Sequence, residues 1–201
     1  MFTIGITGGT GAGKTAALRA LESLGALALD CDAIYHELLE KNTNLKTELE
    51  TKFSGVLKDG EIDRKRLGEI VFSDPEALTD LNAITHKYVS REIEQRISNW
   101  EAAGGTIVAI DAIALIESGR AKKCDVVVGV IAPKELRITR IMERDGITKN
   151  QAELRINAQK PDSFYREHCD HILEGIYAKS KEFETECTQF FTTILGGLQN
   201  A

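Results

Sequence analysis

The chain has 201 residues with 42% apolar and 28% charged side chains, enough for one full-sized core with room for a small inserted lobe. Thirty-one acidic residues outnumber 25 basic ones, for a net charge of -6, which argues against a protein that grips nucleic-acid phosphates nonspecifically. No apolar run approaches the roughly 18–20 residues of a membrane span, and the opening MFTIGITGGTG lacks a basic region and is soon broken by glycines, so neither a membrane segment nor a signal peptide is expected.

Phe2–Thr7 reads as a buried strand. Lys14–Leu24 reads as a helix with Ala17, Leu18, Leu21 and Leu24 on one face, closed by Gly25 as a C′ glycine. Ala26–Leu29 is a second strand, and Asp30 opens the next turn. From Asp32 to about Gly104 the chain is charged and helical in pattern, with no obvious strand. Ser73-Asp74-Pro75-Glu76 within it has the chemistry of a helix start. Strands resume at Thr106–Ile110 and Val126–Ile131. Pro133 starts another helix, Thr148–Gln159 is helical, Ile172-Leu173 is a weak last strand, and Ala178–Leu198 is a C-terminal helix. Apolar strands alternating with helices predict an α/β fold with a parallel sheet of about five strands, which holds ligands at the strands' carboxyl ends.

Four scattered cysteines, Cys31, Cys124, Cys169 and Cys187, form no CxxC pair and read as reduced thiols of a cytoplasmic protein. His168-Cys169-Asp170-His171 offers metal-ligand types without a second cluster to complete a zinc site, and reads as a chance grouping at a strand edge.

The chemistry concentrates at Gly8-Gly9-Thr10-Gly11-Ala12-Gly13-Lys14-Thr15, which fits GxxxxGK[ST] directly after a strand and before a helix. The glycines allow successive N–H groups to turn inward around phosphate oxygens, and the helix N-terminus adds its dipole. Lys14 reaches the outer phosphates of a nucleoside triphosphate, and the Thr15 hydroxyl suits Mg²⁺. Asp111, at a strand end, stands where a carboxylate could hold that ion through water, or where a turn residue would sit. No Asn-Lys-x-Asp base-reading motif is present, which turns the reading from a GTPase toward a kinase of a small metabolite. Asp30 and Asp32 follow the second strand; one can take a proton from an attacking hydroxyl, or either can cap the next helix. Arg137, Arg140 and Arg144 recur at helical spacing, with Arg155 on the next helix, and serve either transferring phosphates or a solvated basic face.

With these residues the chain resembles the dephospho-CoA kinase family over most of its length. Ile6–Thr15 is similar to the family's phosphate loop, and Leu29-Asp30-Cys31-Asp32 with His36-Glu37-Leu38 to its D-x-D…H-E-L segment. Asp63-Arg64-Lys65-Arg66-Leu67-Gly68-Glu69-Ile70-Val71-Phe72 is similar to its D-R-x-x-L-G-x-I-V-F segment, and Leu81–His86 to L-x-x-I-x-H. Arg140–Gly146 and Arg155–Gln159 resemble its lid. Three departures stand out: Ile113-Ala114 in place of a segment with proline, Lys87 in place of the proline after His86, and Glu174 where an asparagine is usual.

The resemblance implies a three-layer P-loop kinase. Its core would comprise residues 1–31, 105–140 and 166–201, its helical acceptor (CoA)-binding insertion residues 32–104, and its lid residues 141–165. It implies transfer of a phosphoryl group from ATP, with Mg²⁺, to the 3′-hydroxyl of dephospho-CoA. By carry-over Asp32 is the general base, Lys14 and Arg140 act in catalysis, Gly9, Thr10, Gly11, Ala12, Gly13, Lys14, Thr15 and Arg144 bind ATP, and Thr15 and Asp111 serve the metal. Asp32, His36 and His86 face the acceptor. Small-molecule substrates are the implied partners, with no nucleic acid, membrane or obligate protein partner. The alternatives are another P-loop nucleotide or metabolite kinase, and a non-catalytic paralogue that binds ATP or CoA.

Overall fold

The computed structural model describes residues 1–177 and 180–198. The chain divides into two compact units, one built from residues 1–29 and the chain from Trp100 on, the other from Asp30–Asn99.

The first unit is a layered α/β core. Strands β1 (Phe2–Thr7), β2 (Leu27–Asp30), β5 (Ile107–Asp111), β6 (Val126–Ile131) and β7 (His171–Glu174) form one sheet in the order β2-β5-β1-β6-β7. The pairings of β1 with β5 and β6, and of β6 with β7, are parallel, with Ile4 opposite Ala109 on one side and Val126 on the other. Ile4, Ile6, Val128 and Val130 are fully buried, as strands covered on both faces require. Helix α1 (Lys14–Ser23) and helix α9 (Ser180–Leu198) cover one face together. Phe183, Cys187 and Phe191 recur every fourth residue on α9 and enter the same apolar cluster as Ala17 and Leu21 of α1. Helix α6 (Lys134–Asp145) and helix α7 (Lys149–Asn157) pack through Ile138, Ile141, Ala152 and Ile156. Thr148 and Gln151 form a capping box at the start of α7. Gly25, at φ 86°, closes α1 as its sequence position indicated.

The second unit is helical: α2 (Cys31–Lys41), α3 (Thr43–Lys52), α4 (Arg64–Ser73) and α5 (Pro75–Ala102), the last running on past its boundary. Side chains mark the helix starts. The Asn42 carboxamide accepts from Leu45 N, the Asp63 carboxylate from Arg66 N and the Asp74 carboxylate from Glu76 N. Leu38, Leu45, Leu49, Phe53, Val56, Leu67 and Val71 are buried.

Two features depart from the sequence reading. The stretch read as free of strands holds a small hairpin, β3 (Leu57–Lys58) with β4 (Glu61–Ile62). Each strand is two residues long, too short to show alternation, while the Asp59-Gly60 turn, with φ of 52° and 83°, is a recognisable hairpin signal. A further helix, α8 (Asp162–His168), follows Pro161; seven residues are too few for a helical period to stand out. Of the C-terminal helix read from Ala178, the first two residues lie outside the described chain.

Candidate active site

The phosphate loop joins β1 to α1, and its glycines stand where a side chain has no room. A Cβ on Gly8, at φ 144°, would lie 2.1 Å from the Val130 carbonyl oxygen. On Gly13, at φ 115°, it would press on the Phe183 ring at 2.9 Å. Gly13 occupies the N-cap of α1 without a side-chain cap, so the helix opens on bare N–H groups. Lys14 and Thr15 are the first two residues of that helix, Lys14 half-buried and Thr15 exposed. Asp111 closes β5 opposite Ile6 of β1, its side chain buried. A glycine cradle, an uncapped helix start with Lys and Thr, and a carboxylate at a neighbouring strand end fit a magnesium-bound triphosphate.

Two arginines of α6 hold the loop. The Arg137 Nε donates to the Thr10 carbonyl at 2.9 Å, and its Nη2 to the Gln159 Oε1 at 3.0 Å. Gln159 in turn accepts from Thr10 N at 2.8 Å, and its Nε2 donates to Thr10 Oγ1 at 2.7 Å. Arg140 donates through Nη1 to the carbonyls of Gly11 and Ala12 at 2.9 and 3.2 Å, and through Nη2 to those of Gly175 and Tyr177 at 3.0 and 2.7 Å. Burial draws both guanidinium pKa values below the ordinary arginine value, and the Asp162 carboxylate, 3.8 Å from Arg137, opposes this there. Arg137 is 5% exposed, so it is no part of a solvated basic face. Spacing tells which residues share a helix face; it does not tell what covers that face. Arg144 is exposed and pairs with the Asp145 carboxylate at 2.7 Å, which also receives Arg155. A cleft of about 440 Å³ beside Arg137 is lined by Lys134, Asn157, Gln159, Lys160 and Asp162 together with the apolar side chains of Ala132, Ile156 and Pro161.

In the helical unit the two carboxylates of Asp30-Cys31-Asp32 have different surroundings. Asp30 is the N-cap of α2; its Oδ1 accepts from Asp32 N at 2.9 Å and Ala33 N at 3.0 Å. Asp32 lies in the first turn, exposed, and His36 one turn later is exposed as well, an i,i+4 pair on one helix face. His86 is exposed on α5. At the strand edge, the Asp170 carboxylate accepts from Val127 N at 2.7 Å, which ties β7's entry to β6. Sequence reasoning missed Gln159 as part of the loop's surroundings, since 149 residues separate it from Thr10.

The family described as Dephospho-CoA kinase matches residues 2–177. A dephospho-CoA kinase of Corynebacterium jeikeium is 39% identical over 176 residues, covering 87% of this chain and 91% of that one. A crystal structure of a Thermus thermophilus protein superposes with a TM-score of 0.82 at 31% identity, covering 98% and 97% of the two chains. A dephospho-CoA kinase from Campylobacter jejuni gives 0.69 at 27% identity, over 97% and 98%. With this match across nearly the whole core and helical unit, and with the phosphate loop set between β1 and α1, the chain belongs to the dephospho-CoA kinase family.

Proposed function

We propose that this chain transfers the γ-phosphoryl group of ATP to the 3′-hydroxyl of dephospho-CoA, giving coenzyme A and ADP, the last step of CoA biosynthesis. The observation that carries the reading is the glycine loop Gly8–Thr15, held from behind by Arg137 and Arg140 and opening on an uncapped helix start, in a chain of this family.

Transfer forms the bond from the ribose O3′ to the γ-phosphorus and breaks the bond from that phosphorus to the bridging oxygen, which leaves on ADP. The demands on the protein are alignment and charge neutralisation. Gly9, Thr10, Gly11, Ala12 and Gly13 shape the cradle. Lys14 binds the outer phosphates and offsets the charge that spreads over the transferring group. Thr15 and Asp111 would hold Mg²⁺, which would neutralise charge on the phosphates when bound. Arg144 serves the phosphates of ATP. Arg140 contributes positive charge beside the loop while its guanidinium fixes the Gly11 and Ala12 carbonyls.

Asp32 orients the acceptor hydroxyl and receives its proton. Its capping alternative is weakened, because Asp30 already supplies the cap of α2. His36 and His86 belong to the acceptor side. Residues 32–104 bind the acceptor, residues 141–165 form a lid that excludes water as a competing acceptor, and residues 1–31, 105–140 and 166–201 form the nucleotide-binding core. The partners are these small molecules, with no nucleic acid, membrane or obligate protein partner. Among the described residues no helix is long and apolar enough to cross a membrane, and the compartment proposed is the cytoplasm.

The test is release of ADP by the purified protein with ATP, Mg²⁺ and 3′-dephospho-CoA, beside a panel of nucleosides and small alcohols as acceptors. Turnover with dephospho-CoA in strong preference to the panel is expected. No turnover with it overturns the reading.

A further inference from the structure

We infer that Gln159 is a positioning residue for phosphoryl transfer, acting through Thr10: it buckles the segment between α7 and α8 onto the third residue of the phosphate loop. The inference rests on the kinase reading above.

Three bonds define the buckle. The Gln159 Oε1 accepts both Thr10 N, at 2.8 Å, and Arg137 Nη2, at 3.0 Å, while its Nε2 donates to Thr10 Oγ1 at 2.7 Å. Arg137 Nε closes the circuit on the Thr10 carbonyl at 2.9 Å. The backbone N–H, the backbone carbonyl and the hydroxyl of Thr10 are therefore all engaged by protein partners. The donors offered to an anion come from later in the loop, and Thr10 sets the angle at which they are presented. Gly9 records how closely the buckle sits: a Cβ there would lie 2.1 Å from Arg137 Nη2 and 3.0 Å from Gln159 Oε1.

The circuit also reaches α8, through the 3.8 Å approach of Arg137 to Asp162. It thus joins the loop to segments that lie next to one another only when the region after α7 is seated. If that region lifts, Thr10 N–H and a guanidinium that is 5% exposed lose their partners together. Buried polar groups tolerate that poorly, so the loop's shape and the seating of the α7–α8 segment depend on each other. Misplacement of reacting groups by about 1 Å can cost roughly 100-fold in rate, so a shift at Thr10 is felt at the γ-phosphate.

The experiment compares Gln159→Leu, which removes all three bonds at similar volume, with Gln159→Glu. Glutamate still accepts from Thr10 N–H and Arg137, and the Thr10 hydroxyl can turn to donate to it. Steady-state kcat and KM for ATP are measured with dephospho-CoA, with Tm recorded for each variant. Gln159→Leu should lower kcat by roughly 10–100-fold, more than it raises KM, and Gln159→Glu should recover most of the loss. Thr10→Val should lower kcat by itself, and Thr10→Val with Gln159→Leu should be no slower than Gln159→Leu alone, as for groups acting as one unit. A Gln159→Leu enzyme with a lowered Tm and near-wild-type kcat makes the buckle a brace only and overturns the inference, as do additive effects in the double variant. Should Gln159→Leu not fold, Gln159→Glu and Thr10→Val carry the same comparison. If the wild-type protein does not phosphorylate dephospho-CoA, it is the kinase reading that fails; the buckle is then judged by the ATP-dependent rise in Tm, which Gln159→Leu should diminish and which, unchanged, overturns it.

Discussion

The two units of this chain are held together by different means. In the α/β core, the buried Arg137 and the half-buried Arg140 are bonded to backbone, donating together to the carbonyls of Thr10, Gly11, Ala12, Gly175 and Tyr177. In the helical unit charge pairs with charge near the surface, Glu48 with Lys87, Arg96 with Glu37 and Glu92, Lys52 with Asp80, and the core adds exposed pairs of the same kind, Asp145 with Arg144 and Arg155, beside its arginine grip. Solvent screens the second kind and hardly reaches the first. The unit that carries the phosphate loop is thus built to hold one geometry. The unit read as binding the acceptor is stabilised by contacts that salt and pH can loosen.

The largest contrast should come from the reacting groups. Lys14→Ala should lower kcat by roughly 10²–10³-fold, the cost of losing one donor aimed at developing charge, with the fold intact by circular dichroism. A kcat near wild type would remove Lys14 from the chemistry. Asp32→Asn should lower kcat by about 10²–10³-fold, the lower half of the usual range for loss of a general base, because nucleophile deprotonation is limited in a loose transition state. ATP affinity should hardly change, since Asp32 serves the acceptor. Unimpaired turnover would leave Asp32 as an ordinary first-turn carboxylate.

Stability sharpens the comparison at smaller scale. Arg137→Met strands the Thr10 carbonyl and part of the Gln159 amide, and should cost about 1–3 kcal/mol by denaturant titration at any salt concentration. Glu48→Gln should cost about 1 kcal/mol or less, and the difference should shrink further in molar salt. Equal costs for the two substitutions would erase the distinction between the units.

In the core Arg144 and Arg155 hold the Asp145 carboxyl below its ordinary pKa, and three such glutamates lie in the helical unit. Hydrogen bonds from Arg96 and Lys41 hold Glu37 below its ordinary pKa; bonds from Lys87 and Tyr88 do so for Glu48, and backbone N–H groups of Gly55 and Leu57 for Glu50. A carboxylate depressed in the folded state stabilises it above the unfolded pKa, near 4.3 for glutamate. That contribution is lost as the pH falls through the lower folded value. Amide protection in α2, α3 and α5, measured against the intrinsic exchange rate, should therefore fall below about pH 4 before it does in β1 and β6. Simultaneous opening of both units would refute this order.

What could be read in advance divides along similar lines. The five strands, the phosphate loop and the start of α5 at Pro75 were legible, because each rests on a local pattern: an apolar run, a glycine spacing, a capping residue before proline. The small hairpin and α8 were too short for periodicity, though the Asp59-Gly60 turn was there to be used. Arg137 and Gln159 illustrate the harder limit. Nothing within a few residues of either shows that one is buried or that both close on Thr10, since those partners lie 127 and 149 positions away. The split between Asp30 as cap and Asp32 as free carboxylate lies between these cases: the D-x-D spacing announced both possibilities, and only backbone geometry assigned the cap.

The guanidinium grip on the loop has an electrical consequence. In a trans peptide the carbonyl and the following N–H point in opposite directions. Anchoring the carbonyls of Thr10, Gly11 and Ala12 on arginines therefore aims the N–H groups of Gly11, Ala12 and Gly13 the other way. Ala12 N–H turns back onto the Gly9 carbonyl at 3.2 Å, while those of Gly11 and Gly13 belong to peptides poled away from the cations. The loop behaves as a small electret, its dipoles kept aligned by the two guanidinium groups. An arriving phosphate meets a field already in place, with little reorientation left to do as negative charge moves across it.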